Sequence, residues 1–107
     1  MDHFVQVVTT ADSRAAADAL AAAGVEARAA ACAQVDGPVT STYRWQGAVE
    51  TAEEWRITFK TSAAAYPRLE GVIRENHSYD VPEILCLPVT AGHPAYLAWV
   101  AGEVEPG

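Results

Sequence analysis

Val39-Thr40-Ser41-Thr42-Tyr43-Arg44-Trp45-Gln46-Gly47 and, shortly after it, Trp55-Arg56-Ile57-Thr58-Phe59-Lys60 are the two runs that decide the fold. In the first, Val39, Ser41, Tyr43 and Trp45 share one parity, the period of a strand. In the second, Trp55, Ile57 and Phe59 alternate with Arg56, Thr58 and Lys60, the mark of a half-buried strand. Gln46-Gly47 supplies a tight turn between them. Two alternating runs joined in this way predict an antiparallel hairpin, and with it an antiparallel sheet.

Toward the N-terminus, Phe4-Val5-Gln6-Val7-Val8-Thr9 is a short β-branched run and reads as a buried strand. Asp12 and Ser13 offer helix N-caps before the alanine-rich stretch Arg14 to Ala23, and Gly24 reads as its stop. Ala27 to Val35 stays open between helix and strand, because no clean period decides it. Gly37 to Thr40 reads as turn-rich. Toward the C-terminus, Tyr66, Leu69, Val72 and Ile73 share a helical face behind Ser62, with Pro67 placing the regular helix near itself and a looser turn before it. Ile84 to Thr90 is nearly continuous apolar sequence, fit for a central strand, although Pro88 calls for an edge or bulge at its far end. Pro94 opens a last helix with Leu97 and Val100 inward, and a loose tail is expected from Glu103 to Gly107.

The order strand, helix, two or more strands, helix, strand, helix predicts an α+β fold: a split βαβ sandwich with helices on one face of an antiparallel sheet. The other face is then bare. Tyr43, Trp45 and Trp55 would make that face or its edge adhesive, which points to a subunit contact.

The 107 residues suit one domain spanning 1–107. A net charge of −7, without a cluster of basic residues, argues against nucleic acid and membrane surfaces as partners. No run has the length of a membrane span, and Met1 to Phe4 lacks the character of a signal peptide, so the expectation is a cytoplasmic protein. Cys32 and Cys86 lie far apart and make no metal or redox motif. Both read as buried, inert thiols in apolar strands. No nucleophile elbow, phosphate loop or dinucleotide fingerprint is present, so the chain reads as a binding protein and not an enzyme.

Five pieces, in order, resemble the CutA family of divalent-cation tolerance proteins. They are Tyr43-Arg44-Trp45-Gln46-Gly47, Phe59-Lys60-Thr61, Tyr79-Asp80-Val81-Pro82-Glu83-Ile84, Leu87-Pro88-Val89-Thr90-Ala91-Gly92 and Tyr96-Leu97-Ala98-Trp99. Ala30-Ala31-Cys32-Ala33 also fits. The resemblance implies a ferredoxin-like βαββαβ sandwich, PII-like, with an extended hairpin, a C-terminal helix and Ala27 to Val35 as strand. It also implies a homotrimer in which the hairpin reaches a neighbour. Family members are linked to copper and other divalent ions. This sequence departs from some of them: Val8 stands where a cysteine precedes the first helix, Asn76-His77 replaces a pair of histidines, Ser78 replaces a proline, and His93 takes a cap position usual for Asn or Asp.

Among candidate ligands, His77 is followed at steps of three by Asp80 and Glu83, so a bent loop would bring one imidazole and two carboxylates together. Such a nitrogen and oxygen set suits Cu(II), Ni(II) or Zn(II) as a bound divalent cation. The plainer reading is that His77 closes a helix, favoured there by the helix dipole. In a trimer, Tyr43, Arg44, Trp45, Glu50, Lys60 and Tyr79 are placed to line a cleft between subunits for a small molecule or protein partner, or simply to pack there. Two functional classes therefore stand: a homotrimeric divalent-metal tolerance protein, or a PII-like trimeric signalling or scaffold protein.

Overall fold

A computed structural model describes residues 3–105. Met1 and Asp2, at the expected leaderless N-terminus, and Pro106 and Gly107, the end of the expected tail, lie outside the described residues. The elements run β1 (Phe4–Ala11), α1 (Arg14–Glu26), β2 (Cys32–Trp45), β3 (Ala48–Ser62), α2 (Tyr66–Asn76), β4 (Ile84–Val89) and α3 (Pro94–Glu103). The sheet order is β2-β3-β1-β4, and every pairing is antiparallel. This is the ferredoxin-like βαββαβ arrangement, with α3 appended.

Alternation decides which face is buried. Val5, Val7 and Ala11 of β1 and Ile57 and Phe59 of β3 join Ala17 and Leu20 of α1 and Leu69 and Ile73 of α2 in the main core. Helices α1 and α2 thus cover one face of the sheet. Ser13 caps α1 by accepting the Ala16 N–H at 3.0 Å. The turn expected after Ser62 is present: Ser62 Oγ accepts from Ala65 N–H, and α2 begins at Tyr66 with Pro67 in its first turn. Helix α3 caps the Phe4 end of the sheet, where Val100 and Val104 pack with Ala31, Ala65 and Phe4. His93 closes its N-terminus, its Nδ1 accepting from Tyr96 N–H at 3.3 Å.

Several expectations need correction. Gly24 does not stop α1, which continues to Glu26; it is a buried position where a side chain would meet Phe59. The strand implied over Ala27 to Val35 begins only at Cys32. Before it the chain turns, with Arg28 in the left-handed region at φ 57°. Gly37 to Thr40 is not a turn but part of β2, interrupted by a bulge between Asp36 and Val39. Strand β4 is an edge strand and not a central one, as Pro88 required. Trp55 belongs to the helix-covered side, packed against the core, and not to the adhesive face. Cys86 is exposed and Cys32 half-buried, so neither thiol is buried as expected. The tail is tied down as far as it is described: Val104 is buried, and the Glu105 N–H donates to Arg28 O at 2.9 Å.

Gln46 and Gly47 form the hairpin turn with positive φ values of 50° and 83°, as a tight two-residue connection demands. The hairpin stretches the molecule to 45 Å along its longest axis. Most of its outer half buries little: Tyr43, Trp45 and Val49 are all exposed. Leu85 and Leu87 on β4 and Tyr96 and Trp99 on α3 are exposed as well.

Candidate functional site

The loop from His77 to Glu83 leaves α2 and runs past the end of β1. Its first residue is held on both ring nitrogens. His77 Nδ1 accepts the Tyr79 N–H at 3.1 Å, so the proton sits on Nε2, which donates to the Thr10 carbonyl at 2.7 Å. The Tyr79 ring lies 4.8 Å from the imidazole, and its hydroxyl donates to Glu54 Oε2 at 2.8 Å. One chain of bonds thus links β1, the loop and the root of the hairpin. Burial, then the bond to Glu54, pushes the Tyr79 phenol far above its ordinary value, with Asp12 and Tyr43 adding to it.

Asp80 and Glu83 are exposed. Among the described residues no group of three His, Cys, Asp or Glu side chains is assembled for a metal ion. The donor chemistry nonetheless suits a cation. Metal-bound histidines commonly donate their second ring N–H to a backbone carbonyl, which orients the ring and raises its basicity. His77 Nε2–H on Thr10 O has that form, and Nδ1 is the atom a cation would take, at the loss of its bond from the Tyr79 N–H. Exchanging one neutral hydrogen bond costs about 1 kcal/mol, little against a coordinate bond. Glu83 also lies close enough to Arg56 to favour its charge, although the stronger partner of Arg56 is Asp36 at 2.9 Å.

The six residues expected at a cleft do not meet within one chain. Tyr43 and Glu50 stand opposite each other on the hairpin, with Arg44 and Trp45 beyond them toward its turn. Tyr79 sits at the hairpin root through Glu54. Lys60 lies in the body of the sheet, opposite Cys32 and Gln6, and donates to Gln34 Oε1. The sequence reading missed Thr10 and Glu54 as partners of the loop. A backbone carbonyl leaves no trace in sequence, and nothing in the sequence sets Glu54 apart from its neighbour Glu53.

Comparison with known proteins follows this geometry. The CutA1 divalent ion tolerance protein family matches residues 5–103. The "Divalent-cation tolerance protein CutA" of Thermus thermophilus is 40% identical over 94 residues, covering 88% of this chain and 91% of that protein. "Protein CutA" of Mus musculus is 38% identical over 85% of this chain, and the chain spans 51% of its length. Among solved structures, CutA1 from Oryza sativa superposes with a TM-score of 0.96 at 30% identity, covering 98% of this chain and 96% of that one.

Proposed function

The chain belongs to the CutA1 divalent ion tolerance protein family, and from that premise we propose that it serves divalent-cation tolerance as a homotrimer, by binding and assembly and not by catalysis. The observation that carries this reading is the apolar surface left open: Tyr43, Trp45 and Val49 on the hairpin, Leu85 and Leu87 on the edge strand, and Tyr96 and Trp99 on α3. Monomeric proteins rarely leave so much large apolar side chain in water, and a hairpin standing clear of its core is marginal by itself. Contact with further copies satisfies both.

Cu(II) or Zn(II) is the cation whose chemistry fits the His77 loop, with His77 Nδ1 and the carboxylates of Asp80 and Glu83 as ligands. The open geometry of the loop favours weak binding that tightens as the loop rearranges. Two free thiols, Cys32 and Cys86, and no disulfide among the described residues support a cytoplasmic location.

The test is calorimetric titration with Cu(II) and Zn(II), alongside light scattering. Saturable binding that is lost in His77→Ala, in a particle of three times the chain mass, supports both parts. A stable monomer at micromolar concentration refutes the trimer. Binding that never saturates, or that is unchanged in His77→Ala, refutes the metal site.

A further inference from the structure

Tyr79 is held at both of its ends. Its backbone N–H donates to His77 Nδ1 at 3.1 Å, and its phenol donates to Glu54 Oε2 at 2.8 Å. The ring between them is half-buried and lies 4.8 Å from the imidazole, inclined to it by 44°. Two torsions separate the backbone of a tyrosine from its ring, and staggering together with the neighbouring imidazole limits both. A shift of the Tyr79 backbone away from His77 therefore draws the hydroxyl off Glu54.

Glu54 belongs to the hairpin. It stands on β3 opposite Val39, the first pair beyond the bulge in β2. The bond from Tyr79 thus fastens the His77 loop to the hairpin root, as the bond from His77 Nε2 to Thr10 O fastens it to β1.

The Nδ1 atom has one lone pair, and the Tyr79 N–H now occupies it. A Cu(II) or Zn(II) ion sits about 2 Å from a ligating nitrogen, inside the 3.1 Å that separates Nδ1 from the Tyr79 nitrogen. The N–H must withdraw before Nδ1 can serve a cation.

We propose that Tyr79 couples cation binding at His77 to the root of the hairpin: a cation on Nδ1 and the phenol on Glu54 exclude one another. This rests on the cation reading of the His77 loop and adds how that site is regulated. Without a cation, Tyr79 holds the loop to the hairpin. With one, the Tyr79 backbone withdraws, Asp80 next to it moves with it, and Glu54 is released. Linkage makes the effect reciprocal, so the bond weakens the cation by the same factor by which the cation loosens the bond. For a hydrogen bond to a carboxylate that factor is about tenfold.

The test uses the whole protein and Zn(II), which is diamagnetic. Calorimetry compares the unaltered chain with Tyr79→Phe, which keeps the ring and the backbone N–H and loses the bond to Glu54. Zn(II) affinity is expected to rise about tenfold. Tyr66→Phe is the control, because it loses a similar bond, 2.9 Å to Glu70 within α2, and leaves the affinity unchanged. In a second measurement the unaltered chain carries 13Cζ-tyrosine. The Tyr79 phenol resonance, identified by its absence from Tyr79→Phe, is expected to shift in step with Zn(II) saturation, while that of Tyr66 stays. Equal or lower affinity in Tyr79→Phe, with binding still lost in His77→Ala, overturns the coupling and leaves the cation reading intact. So does a Tyr79 phenol unmoved at saturation, or an equal rise in Tyr66→Phe. No saturable Zn(II) binding in any of these proteins overturns the cation reading, and the coupling with it.

Discussion

The Cε1 atom of Phe59 lies 2.6 Å from the point where a Cβ on Gly24 would stand. Phe59 is wholly buried, and Leu69 closes the same space at 3.2 Å, so neither neighbour has room to yield. Gly24→Ala therefore sets two effects against each other. Helix propensity gains about 1 kcal/mol, whereas overpacking costs roughly 1–3 kcal/mol. We expect net destabilisation in urea unfolding. Gly71→Ala on α2 is the control: nothing lies within 4 Å of its added Cβ, so only the propensity gain of about 1 kcal/mol remains.

Thr9 gives a prediction of opposite sign. Its side chain is fully buried on the core face of β1, and its Oγ1 has no hydrogen-bond partner. An unpaired buried hydroxyl costs roughly 1–3 kcal/mol. Valine has nearly the same shape and the same preference for strands. Thr9→Val is expected to stabilise the protein by about 1 kcal/mol or more. An unchanged or lowered unfolding midpoint would show that Oγ1 is satisfied in solution.

Arg68 links the start of α2 to both ends of the neighbouring chain segments. Its guanidinium donates to the carbonyls of Ala27, Arg28 and Glu105, each at 3.0 Å. Arg28 in turn donates to Glu103 O and Gly102 O at the end of α3. Arg68→Met keeps most of the stem and loses all three bonds. The expected loss is roughly 1–3 kcal/mol. Hydrogen exchange should accelerate first at Val104 and Glu105, and acceleration spread evenly over the chain would contradict this local role.

Three phenols set the alkaline behaviour, Tyr96 among them, pushed up to about 12 by its hydrogen bond with Cys32 and then by burial. Tyr66 is pushed up to about 12 by burial and then by its bond to Glu70, and Tyr79 is raised further by burial and Glu54. A raised folded value means that the fold favours the neutral phenol. That stabilisation is complete below the ordinary value of 10 and disappears as pH rises through about 12 and beyond. Tyrosinate absorbance should therefore show these three groups still protonated between pH 10 and about 12. Glu54→Gln is expected to bring Tyr79 down and leave Tyr66 unmoved.

Much of this architecture is legible in the sequence because burial leaves a period. Ile57 and Phe59 alternate with polar neighbours, Leu69 and Ile73 recur at helical spacing, and both sets are fully buried as read. The failures share a cause: sequence shows what a residue prefers, not what stands opposite it. Gly24 prefers to end a helix, yet the ring of Phe59 requires a glycine there. Ile84 to Val89 is apolar enough for the middle of a sheet, yet it pairs only with β1 and leaves Leu85 and Leu87 open. The His77 loop was visible as a set of donor types. Its tie to Thr10 was not, because that contact spans 67 positions and ends on a backbone atom.

The bulge in β2 acts as a change of reading frame. Ahead of it, the even-numbered Cys32, Gln34 and Asp36 stand opposite Lys60, Thr58 and Arg56; beyond it, the odd-numbered Val39, Ser41, Tyr43 and Trp45 stand opposite Glu54, Ala52, Glu50 and Ala48. One extra residue has reversed the parity of the strand, so residues of opposite parity emerge on one side of the ribbon. Tyr43 and Trp45 thereby share a side with Lys60, and through the rows of the sheet with Leu85 and Leu87. Removal of one residue between Asp36 and Val39 would keep the strand but turn its aromatic pair to the opposite side. The direction in which this protein presents its aromatic tip is set by a count of residues.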